Sequence, residues 1–261
     1  MANTIKKIMT NPKKIPKSRV RRRGIRSLEK AKRKTTKTPT VISPDNLKRN
    51  RPRRNPSNLT YSSVTPIFKG KTVYVIGGGP SLQGFNWNSL SNKSVIAINK
   101  SFMSVPTAQV IYWTDARFYR WYKKDIDASN AVKYTINSGA PYTNDVRLLK
   151  KGIRHGLETD NRSLAHGDNS GYAAINLAYH LGATKIVLLG FDMGGNGNKT
   201  HFHDGYPVNP TSKHIYEKRF VVSFPHIAEE LKKKGIKVYN ASERSTLTCF
   251  TKISLEKSLF L

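Results

Sequence analysis

The fold is decided by the stretch Lys71-Thr-Val-Tyr-Val-Ile-Gly-Gly-Gly-Pro-Ser-Leu82. Its first half is a short apolar run rich in β-branched residues, which is typical of a buried strand in a parallel sheet. Three glycines and Pro80-Ser81 follow at once, and they predict a sharp turn into a helix. Glycines at such a turn let the backbone approach a ligand closely, and the free N–H groups of a helix start attract anions.

This loop matches neither of the two best-known phosphate-binding patterns. The glycine spacing of the dinucleotide fingerprint is interrupted by Pro80-Ser81-Leu82, and the Gly-Lys-Ser/Thr ending of a Walker A loop does not follow. Two interpretations stay open, a phosphate-binding turn or a tight turn without a ligand. We predict the first, with nucleotide phosphates held by Gly77, Gly78, Gly79, Pro80 and Ser81.

Further apolar runs alternate with helical patterns along the rest of the chain. Such alternation indicates an α/β fold, and we predict a doubly wound, mostly parallel, Rossmann-like sheet. Residues 140–168 are polar and receive no assignment. The predicted strands are 71–76, 94–98, 109–113, 131–135, 185–189 and 236–239, and the predicted helices are 116–124, 170–181 and 213–234.

Polar residues stand just after several predicted strands and at the start of one predicted helix. In sheets of this class, ligands bind beyond the carboxyl ends of the strands. Simple N-capping explains one polar residue at the helix start, but not the whole run Asp168-Asn169-Ser170-Gly171. We therefore predict nucleotide contacts from Asn99, Asp115, Asn169, Ser170 and Gly171, and we place Asp192 in the same region.

Two histidines alternate with an aromatic residue in the glycine-rich loop after Asp192. His201 and His203 could form a metal pair with Asp204, supply a general base, or be ordinary loop residues. The pKa of imidazole lies near neutrality, which suits a general base. We predict that His201, His203 and Asp192 are the catalytic residues.

The segment Trp113–Tyr122 concentrates aromatic side chains around Arg117 and Arg120. A helix that faces the core explains this composition. A stacking surface for a base or a sugar is the alternative, because aromatic rings and guanidinium groups both stack on planar ligands.

The positive charge is concentrated at the beginning of the chain. Residues 1–60 hold 20 Lys and Arg against 2 acidic residues, which is +18 of the chain's net charge of +30. They contain too little apolar surface to fold alone. We predict a disordered basic arm over residues 1–60 that binds nucleic acid through its phosphates, followed by a folded domain over 61–261. A solubilising tail and contact with an anionic membrane surface are the alternatives, and we predict no membrane span and no secretion signal.

Several of these motifs occur in the same order in a known family. The chain resembles a Rossmann-like family that includes the archaeal 6-hydroxymethylpterin pyrophosphokinases and many phage and bacterial relatives. The resemblance lies in Val75-Ile-Gly-Gly-Gly-Pro-Ser-Leu82, Asn99, Ser170-Gly171 and Ala183–Asp192. The same series is similar to bacterial sialyltransferases that use a CMP-sugar. The resemblance covers roughly residues 71–261 and leaves out the basic arm.

The resemblance implies a nucleotide-dependent transferase. It places Gly79, Pro80 and Ser81 along the nucleotide phosphates, and Asn99 and Ser170-Gly171 at the nucleotide's sugar and phosphate. The sialyltransferase likeness implies a nucleotide-sugar donor and a histidine base, for which His201 or His203 is the match. The pyrophosphokinase likeness implies Mg²⁺, for which Asp115 and Asp192 are the candidate ligands.

We predict a glycosyltransferase-like enzyme that the basic arm holds near nucleic acid. Pyrophosphoryl transfer is one alternative. The other is a non-enzymatic, phage-encoded packaging or assembly protein that uses the fold as a scaffold, because the domain after the arm is itself basic. We expect the protein in the cytoplasm of a bacterial host cell or within a virion.

Overall fold

The computed structural model describes residues 59–194, 200–209 and 211–261. The predicted basic arm, residues 1–60, lies almost entirely outside these ranges, so its disorder and its contact with nucleic acid stay predictions. The domain boundary at residue 61 stays a prediction for the same reason. Within the described ranges, none of the helices is both long and apolar enough to cross a membrane.

The centre of the domain is an eight-stranded sheet in which every neighbouring pair of strands is parallel. This confirms the predicted α/β, Rossmann-like class. The strand order is β10-β9-β8-β1-β2-β3-β4-β5. The strands are β1 (Thr72–Ile76), β2 (Ser94–Ile98), β3 (Val110–Trp113), β4 (Val132–Thr135), β5 (Val146–Leu148), β8 (Lys185–Leu189), β9 (Lys237–Asn240) and β10 (Thr251–Lys252), and β6 (Lys150–Lys151) and β7 (Ser163–Leu164) form a separate parallel pair.

The strand order reverses direction between β1 and β8. From β1 the chain builds outward through β5, and from β8 it builds outward the other way through β10. The two central strands are tied together beyond their ends, because the amide of Gly79 donates a hydrogen bond of 2.8 Å to the carbonyl of Gly190. A reversal of this kind opens a crevice at the carboxyl ends of the strands, where ligands of doubly wound sheets bind.

Both faces of the sheet are covered by apolar cores. In β1, Val73 and Val75 belong to one core, and Tyr74 and Ile76 belong to the other. This alternation follows from the two-residue period of a strand, and burial on both faces explains the continuous apolar sequence of β1. The helices are α1 (Ala116–Ala128), α2 (Ser170–His180), α3 (Lys213–Ile215), α4 (Phe224–Lys233) and α5 (Leu255–Ser258), with α2 and α4 in the first core and α1 and α5 in the second.

Two predicted helices differ from the structure. The helix predicted after the glycine loop is only a 3-10 turn, Pro80–Leu82, and the binding of an anion there stays a prediction. The predicted long helix 213–234 is divided into α3, a π-helical turn (Tyr216–Phe220), a 3-10 turn (Val221–Ser223) and α4. Pro225 in the first turn of α4 explains the break between the 3-10 turn and α4, because proline has no N–H for a continuing helix.

The unassigned segment 140–168 contributes β5, β6 and β7. One buried side chain on α2 holds part of it in place. The amide oxygen of Asn176 accepts hydrogen bonds of 2.9 Å from the backbone N–H groups of Glu158 and Ala165, and its nitrogen donates to the carbonyl of Glu158. A segment fixed by a distant side chain carries no local periodicity, and this explains why the sequence pattern predicted no strand there. The sequence also missed β10, a two-residue edge strand.

Candidate functional site

A cavity of about 960 Å³ lies at the carboxyl edge of the sheet, where β1 and β8 diverge. Loops after β1, β2, β3 and β8 and the start of α2 form its walls. It therefore occupies the place that the sheet topology predicts for a ligand. Eleven of the thirteen predicted site residues line it, namely Gly77, Gly78, Gly79, Asn99, Asp115, Asn169, Ser170, Gly171, Asp192, His201 and His203, whereas Pro80 and Ser81 do not.

The three glycines of the first loop are required by the protein itself. A Cβ atom on Gly77 would lie 2.6 Å from the carbonyl oxygen of Gly190, and one on Gly79 would lie 1.8 Å from Oδ2 of Asp192. A Cβ atom on Gly78 would lie 2.9 Å from the ring of His201. All three distances are too short for a real side chain. Close packing against β8 and the histidines therefore explains the glycines without a phosphate.

Ser81 and Asp192 form a pair behind the glycine loop. The hydroxyl of Ser81 donates a hydrogen bond of 2.7 Å to Oδ2 of Asp192. Only 4% of Asp192 is exposed, and burial raises the pKa of its carboxyl group, against the opposing effect of the hydrogen bonds from Ser81. Ser81 therefore points towards a protein carboxylate, and the predicted contact of Ser81 with a phosphate has no structural support here.

Asn99 occupies a strained position at the end of β2. Its φ of 50° is in the left-handed region, which asparagine enters more readily than most residues but still at a cost. Its side-chain oxygen Oδ1 is buried, and among the described residues it has no hydrogen-bond partner. Because a buried polar atom without a partner costs free energy, Asn99 is suited to accept a hydrogen bond from a bound ligand.

The start of α2 contributes a capped end and two small residues. The side chain of Asn169 accepts a hydrogen bond of 2.8 Å from the amide of Tyr172 and donates to the carbonyl of Gly167. Asn169 therefore acts as the N-cap of α2. Ser170 and Gly171 line the cavity, and a Cβ atom on Gly171 would lie 2.8 Å from the ring of Phe191.

The two predicted metal ligands are both engaged by protein groups. The carboxylate of Asp115 caps α1 and accepts hydrogen bonds of 2.9 and 2.7 Å from the guanidinium of Arg117. Asp192 accepts from Ser81, as described above. Across the described ranges, no three His, Cys, Asp or Glu side chains are grouped so that they could hold a metal ion. The predicted role of Asp115 and Asp192 as Mg²⁺ ligands therefore gains no support from the geometry.

His201 and His203 stack on each other over Gly78, with ring centroids 4.8 Å apart and an angle of 24° between the rings. Nδ1 of His201 lies 2.8 Å from the hydroxyl oxygen of Thr200. Nδ1 of His203 accepts a hydrogen bond of 3.0 Å from the amide of Gly205. The two rings therefore have different partners, although the sequence presents them as equivalent.

Both imidazoles favour the neutral form. Burial is the main cause and lowers the pKa of His201, and the nearby ammonium of Lys100 lowers it further. Burial, His201 and Lys100 lower the pKa of His203 to about 4. At neutral pH each ring therefore carries one proton and one lone pair, which is the form that a general base requires.

The sequence patterns did not identify two further residues at the histidines. The ring of Tyr206 packs edge-on against both imidazoles at 5.2 Å. The ammonium of Lys100 is 3.2 Å from the carbonyl of Gly205 and 3.5 Å from the carboxylate of Asp204. Their contacts bring together residues about a hundred positions apart, and the local sequence around Lys100 and Tyr206 carries no signal for such contacts.

The aromatic segment before and within α1 is divided between the core and the cavity wall. Phe118 and Tyr119 are buried in the core. Arg117 and Trp121 line the cavity, with the guanidinium 5.6 Å from the centre of the indole ring. The half-buried ring of Trp121 therefore offers a surface on which a planar or sugar ring could stack.

No family model matches the chain, and no curated protein matches it significantly. The solved structures that resemble it weakly include two bacterial sialyltransferases. The sialyltransferase CstII of Campylobacter jejuni, in complex with a substrate analogue, cytidine-5'-monophosphate, has 17% sequence identity and a TM-score of 0.45, and the match covers 71% of this chain and 86% of that one. The monofunctional α-2,3-sialyltransferase Cst-I of the same organism has 15% identity and a TM-score of 0.45, with coverage of 71% and 80%. Likeness at this level assigns neither a family nor an activity.

Proposed function

We propose that the chain is a nucleotide-dependent transferase that moves a glycosyl group from a nucleotide-sugar donor. The observation that carries the proposal is the neutral imidazole of His201, which lies over Gly78 in the cavity at the carboxyl edge of the sheet. The hydrogen-bond contact of the His201 ring is made by Nδ1 with the hydroxyl of Thr200, so Nε2 is left for a ligand. When Nδ1 donates its proton to the hydroxyl of Thr200, Nε2 carries the lone pair and can act as a base.

The transfer step uses this base directly. Nε2 of His201 takes the proton of the acceptor hydroxyl, and the acceptor oxygen forms a bond to the glycosyl carbon of the donor. The bond from that carbon to the phosphate oxygen breaks, and its electron pair leaves with the nucleotide. The histidine later returns its proton to solvent. Asp192 is too deeply buried behind Ser81 to take this proton as readily, so we assign the role of base to His201.

The walls of the cavity supply contacts for the donor. The unpartnered oxygen of Asn99 accepts from a sugar hydroxyl, and Ser170 at the start of α2 offers a hydroxyl and a backbone amide. The indole of Trp121 offers a stacking surface for the base or for the acceptor. A volume of about 960 Å³ is enough for a nucleotide together with a second ring.

Pyrophosphoryl transfer is less well supported by the same residues. That reaction uses metal ions to neutralise the charge between phosphates. The carboxylate of Asp115 is held by Arg117, and the carboxylate of Asp192 is buried and accepts from Ser81. In the part of the chain that the structure describes, neither carboxylate belongs to a group of three side chains that could hold a metal ion.

The experiment is a thermal-shift panel on the full chain with CMP, CDP, UDP, GDP, ATP and GTP, each with Mg²⁺ and with EDTA. A nucleotide at about 100 times its Kd should stabilise the fold by roughly 2.7 kcal/mol, which shifts the midpoint by several degrees. We expect a shift with one base type that persists in EDTA. A shift that requires Mg²⁺ would favour pyrophosphoryl transfer, and no shift with any nucleotide would favour the packaging protein.

A further inference from the structure

The protonation state of His203 is fixed by a backbone group. A backbone amide always donates, so the hydrogen bond of 3.0 Å from Gly205 to Nδ1 requires a lone pair on Nδ1. A neutral imidazole has one proton, and in His203 that proton must be on Nε2. His203 therefore presents an N–H donor at Nε2, which is the opposite of what a general base presents.

This donor is buried and has no partner. Nε2 of His203 is one of the few buried side-chain nitrogen or oxygen atoms in the described residues without a hydrogen bond. The ring of His203 lies on the cavity wall and contacts two other rings, that of His201 at 4.8 Å and that of Tyr206 at 5.2 Å. Such contacts hold the imidazole in one orientation, so the donor is positioned before a ligand arrives.

A positive charge lies close to this position. Burial is the main cause of the lowered pKa of both His201 and His203, and the ammonium of Lys100, whose side chain is only 14% exposed, lowers both further. A potential that opposes a second proton on an imidazole also favours an anion beside it. Asp204, whose negative charge opposes this effect at His203, has a side chain that is 95% exposed, so solvent screens its charge.

We propose that the Nε2–H group of His203 is a fixed donor for an anionic oxygen of the bound ligand. The occupant is a phosphate oxygen of the nucleotide, and this identification of the ligand rests on the proposed function. His203 would then hold the phosphate on which negative charge grows as the glycosyl bond breaks, while His201 acts as the base. The two stacked histidines would have opposite roles, one as donor and one as acceptor.

The first test reads the tautomer without any ligand. A long-range ¹⁵N–¹H NMR spectrum of the full chain reports which nitrogen of each histidine carries a proton, and His203→Gln assigns the His203 signals. We expect the Nε2–H form of His203 throughout pH 6 to 8. A proton on Nδ1, or a titration of His203 near the ordinary pKa of histidine, would overturn the proposal.

The second test measures binding with three probes: inorganic pyrophosphate, CMP and cytidine. We expect pyrophosphate and CMP, but not cytidine, to shift the Nε2 signal of His203. The His203→Met variant removes the donor and should weaken the binding of both anions about ten- to a hundredfold. The His203→Gln variant places an amide N–H near the same position and should lose less than about threefold. Both variants remove the acceptor for Gly205, so each controls for that loss.

The outcomes separate this proposal from the proposed function. If pyrophosphate acts through His203 but no nucleotide binds, the nucleotide-dependent function fails and the anion position stands. If CMP binds equally well to wild type and to His203→Met, the position of the anion is wrong even though nucleotide binding is right. Equal losses in the Gln and Met variants would also overturn the proposal, because the donor would then not be the cause.

Discussion

The hydroxyl of Ser81 donates a hydrogen bond of 2.7 Å to Oδ2 of Asp192, across 111 positions of sequence. This contact ties the turn after β1 to the end of β8, the two strands between which the strand order reverses. The same carboxylate oxygen would lie 1.8 Å from a Cβ atom on Gly79. The glycine loop, its serine and the aspartate therefore form one packed unit beneath the cavity.

The Asp192 carboxyl group should make the chain's stability depend on pH. Burial raises its pKa in the folded state, so the folded chain holds this proton more tightly than the unfolded chain does. Asp192 therefore lowers the free energy of unfolding as pH rises through and above the ordinary value of 3.8. We expect the unfolding free energy of Asp192→Asn, minus that of wild type, to increase from pH 3.5 to pH 7 in denaturant titrations. A constant difference over that range would contradict a buried Asp192 carboxyl group with a raised pKa.

Gly79→Ala should destabilise the fold strongly. The backbone of Gly79 has a φ of −65°, which alanine adopts without strain, so only the clash with Asp192 and with the carbonyl of Gly190 opposes the change. Overpacking of this kind costs about 1–3 kcal/mol or more. Gly194→Ala is the matched control, because its nearest neighbour is the methyl group of Thr246 at 3.6 Å. Equal unfolding free energies for the two variants in urea would show that the loop is not packed as described.

The sequence predicted the sheet well because its strands are buried on both faces. Continuous apolar patterns mark β1, β2 and β8, and a capping pattern marks the start of α2. The observed bounds of these strands and the first residue of α2 lie within one residue of the predicted ones. It also placed Asn99, His201 and His203 at the cavity, since the carboxyl ends of parallel strands share one edge.

Tertiary contacts account for what the sequence did not show. The orientation of the Ser81 hydroxyl depends on its hydrogen bond to Asp192. His201 and His203 differ because the first contacts Thr200 and the second contacts Gly205. The glycine loop suggested a phosphate because a glycine that avoids a neighbouring side chain looks the same in sequence as one that approaches a ligand. The distances around Gly78 and Gly79 explain these glycines by packing, and their contact with a phosphate stays a prediction.

Lys100→Gln should raise the pKa of His201. The positive charge of Lys100 lowers that pKa, so its removal makes protonation of the base easier. The acid limb of the pH–rate profile should therefore move to higher pH, and NMR titration of His201 should move with it. Lys124→Gln, an exposed lysine on α1, is the control and should leave both unchanged. An unshifted acid limb in Lys100→Gln would argue against His201 as the titrating base.

The chain should lose stability in mild acid. Burial lowers the pKa of His180, His201 and His203 in the folded state, so the unfolded chain binds more protons below the ordinary histidine value of 6.5. Their contribution to stability is complete above pH 6.5 and declines as pH falls towards the folded value, which is about 4 for His203. Denaturant titrations should show this decline, and it should be smaller in His203→Gln. If the unfolding free energy of His203→Gln declines as steeply as that of wild type, His203 is not buried in the neutral form.

Asp168 should tolerate asparagine better than alanine. Its φ is 60°. Its carboxylate forms ion pairs with Arg154 at 2.9 Å and with Arg219 at 3.1 Å, and both arginine side chains are about half exposed. Exposed pairs contribute at most about 1 kcal/mol each, whereas a left-handed backbone costs alanine about 1–2 kcal/mol. We expect Asp168→Ala to be less stable than Asp168→Asn by roughly 1 kcal/mol in thermal or urea unfolding. The reverse order would show that the ion pairs, and not the backbone conformation, explain why aspartate stands at position 168.

In the proposed reaction, His201 acts as the base for a metal-independent glycosyl transfer. The most direct measurement is nucleotide release from a panel of CMP-, UDP- and GDP-sugars by the full chain in EDTA, for wild type and for His201→Gln. We predict that wild type releases the nucleotide from one donor class and that His201→Gln loses at least about a hundredfold in rate. Release that requires Mg²⁺ and survives in His201→Gln would contradict the account, as would the absence of release from every donor.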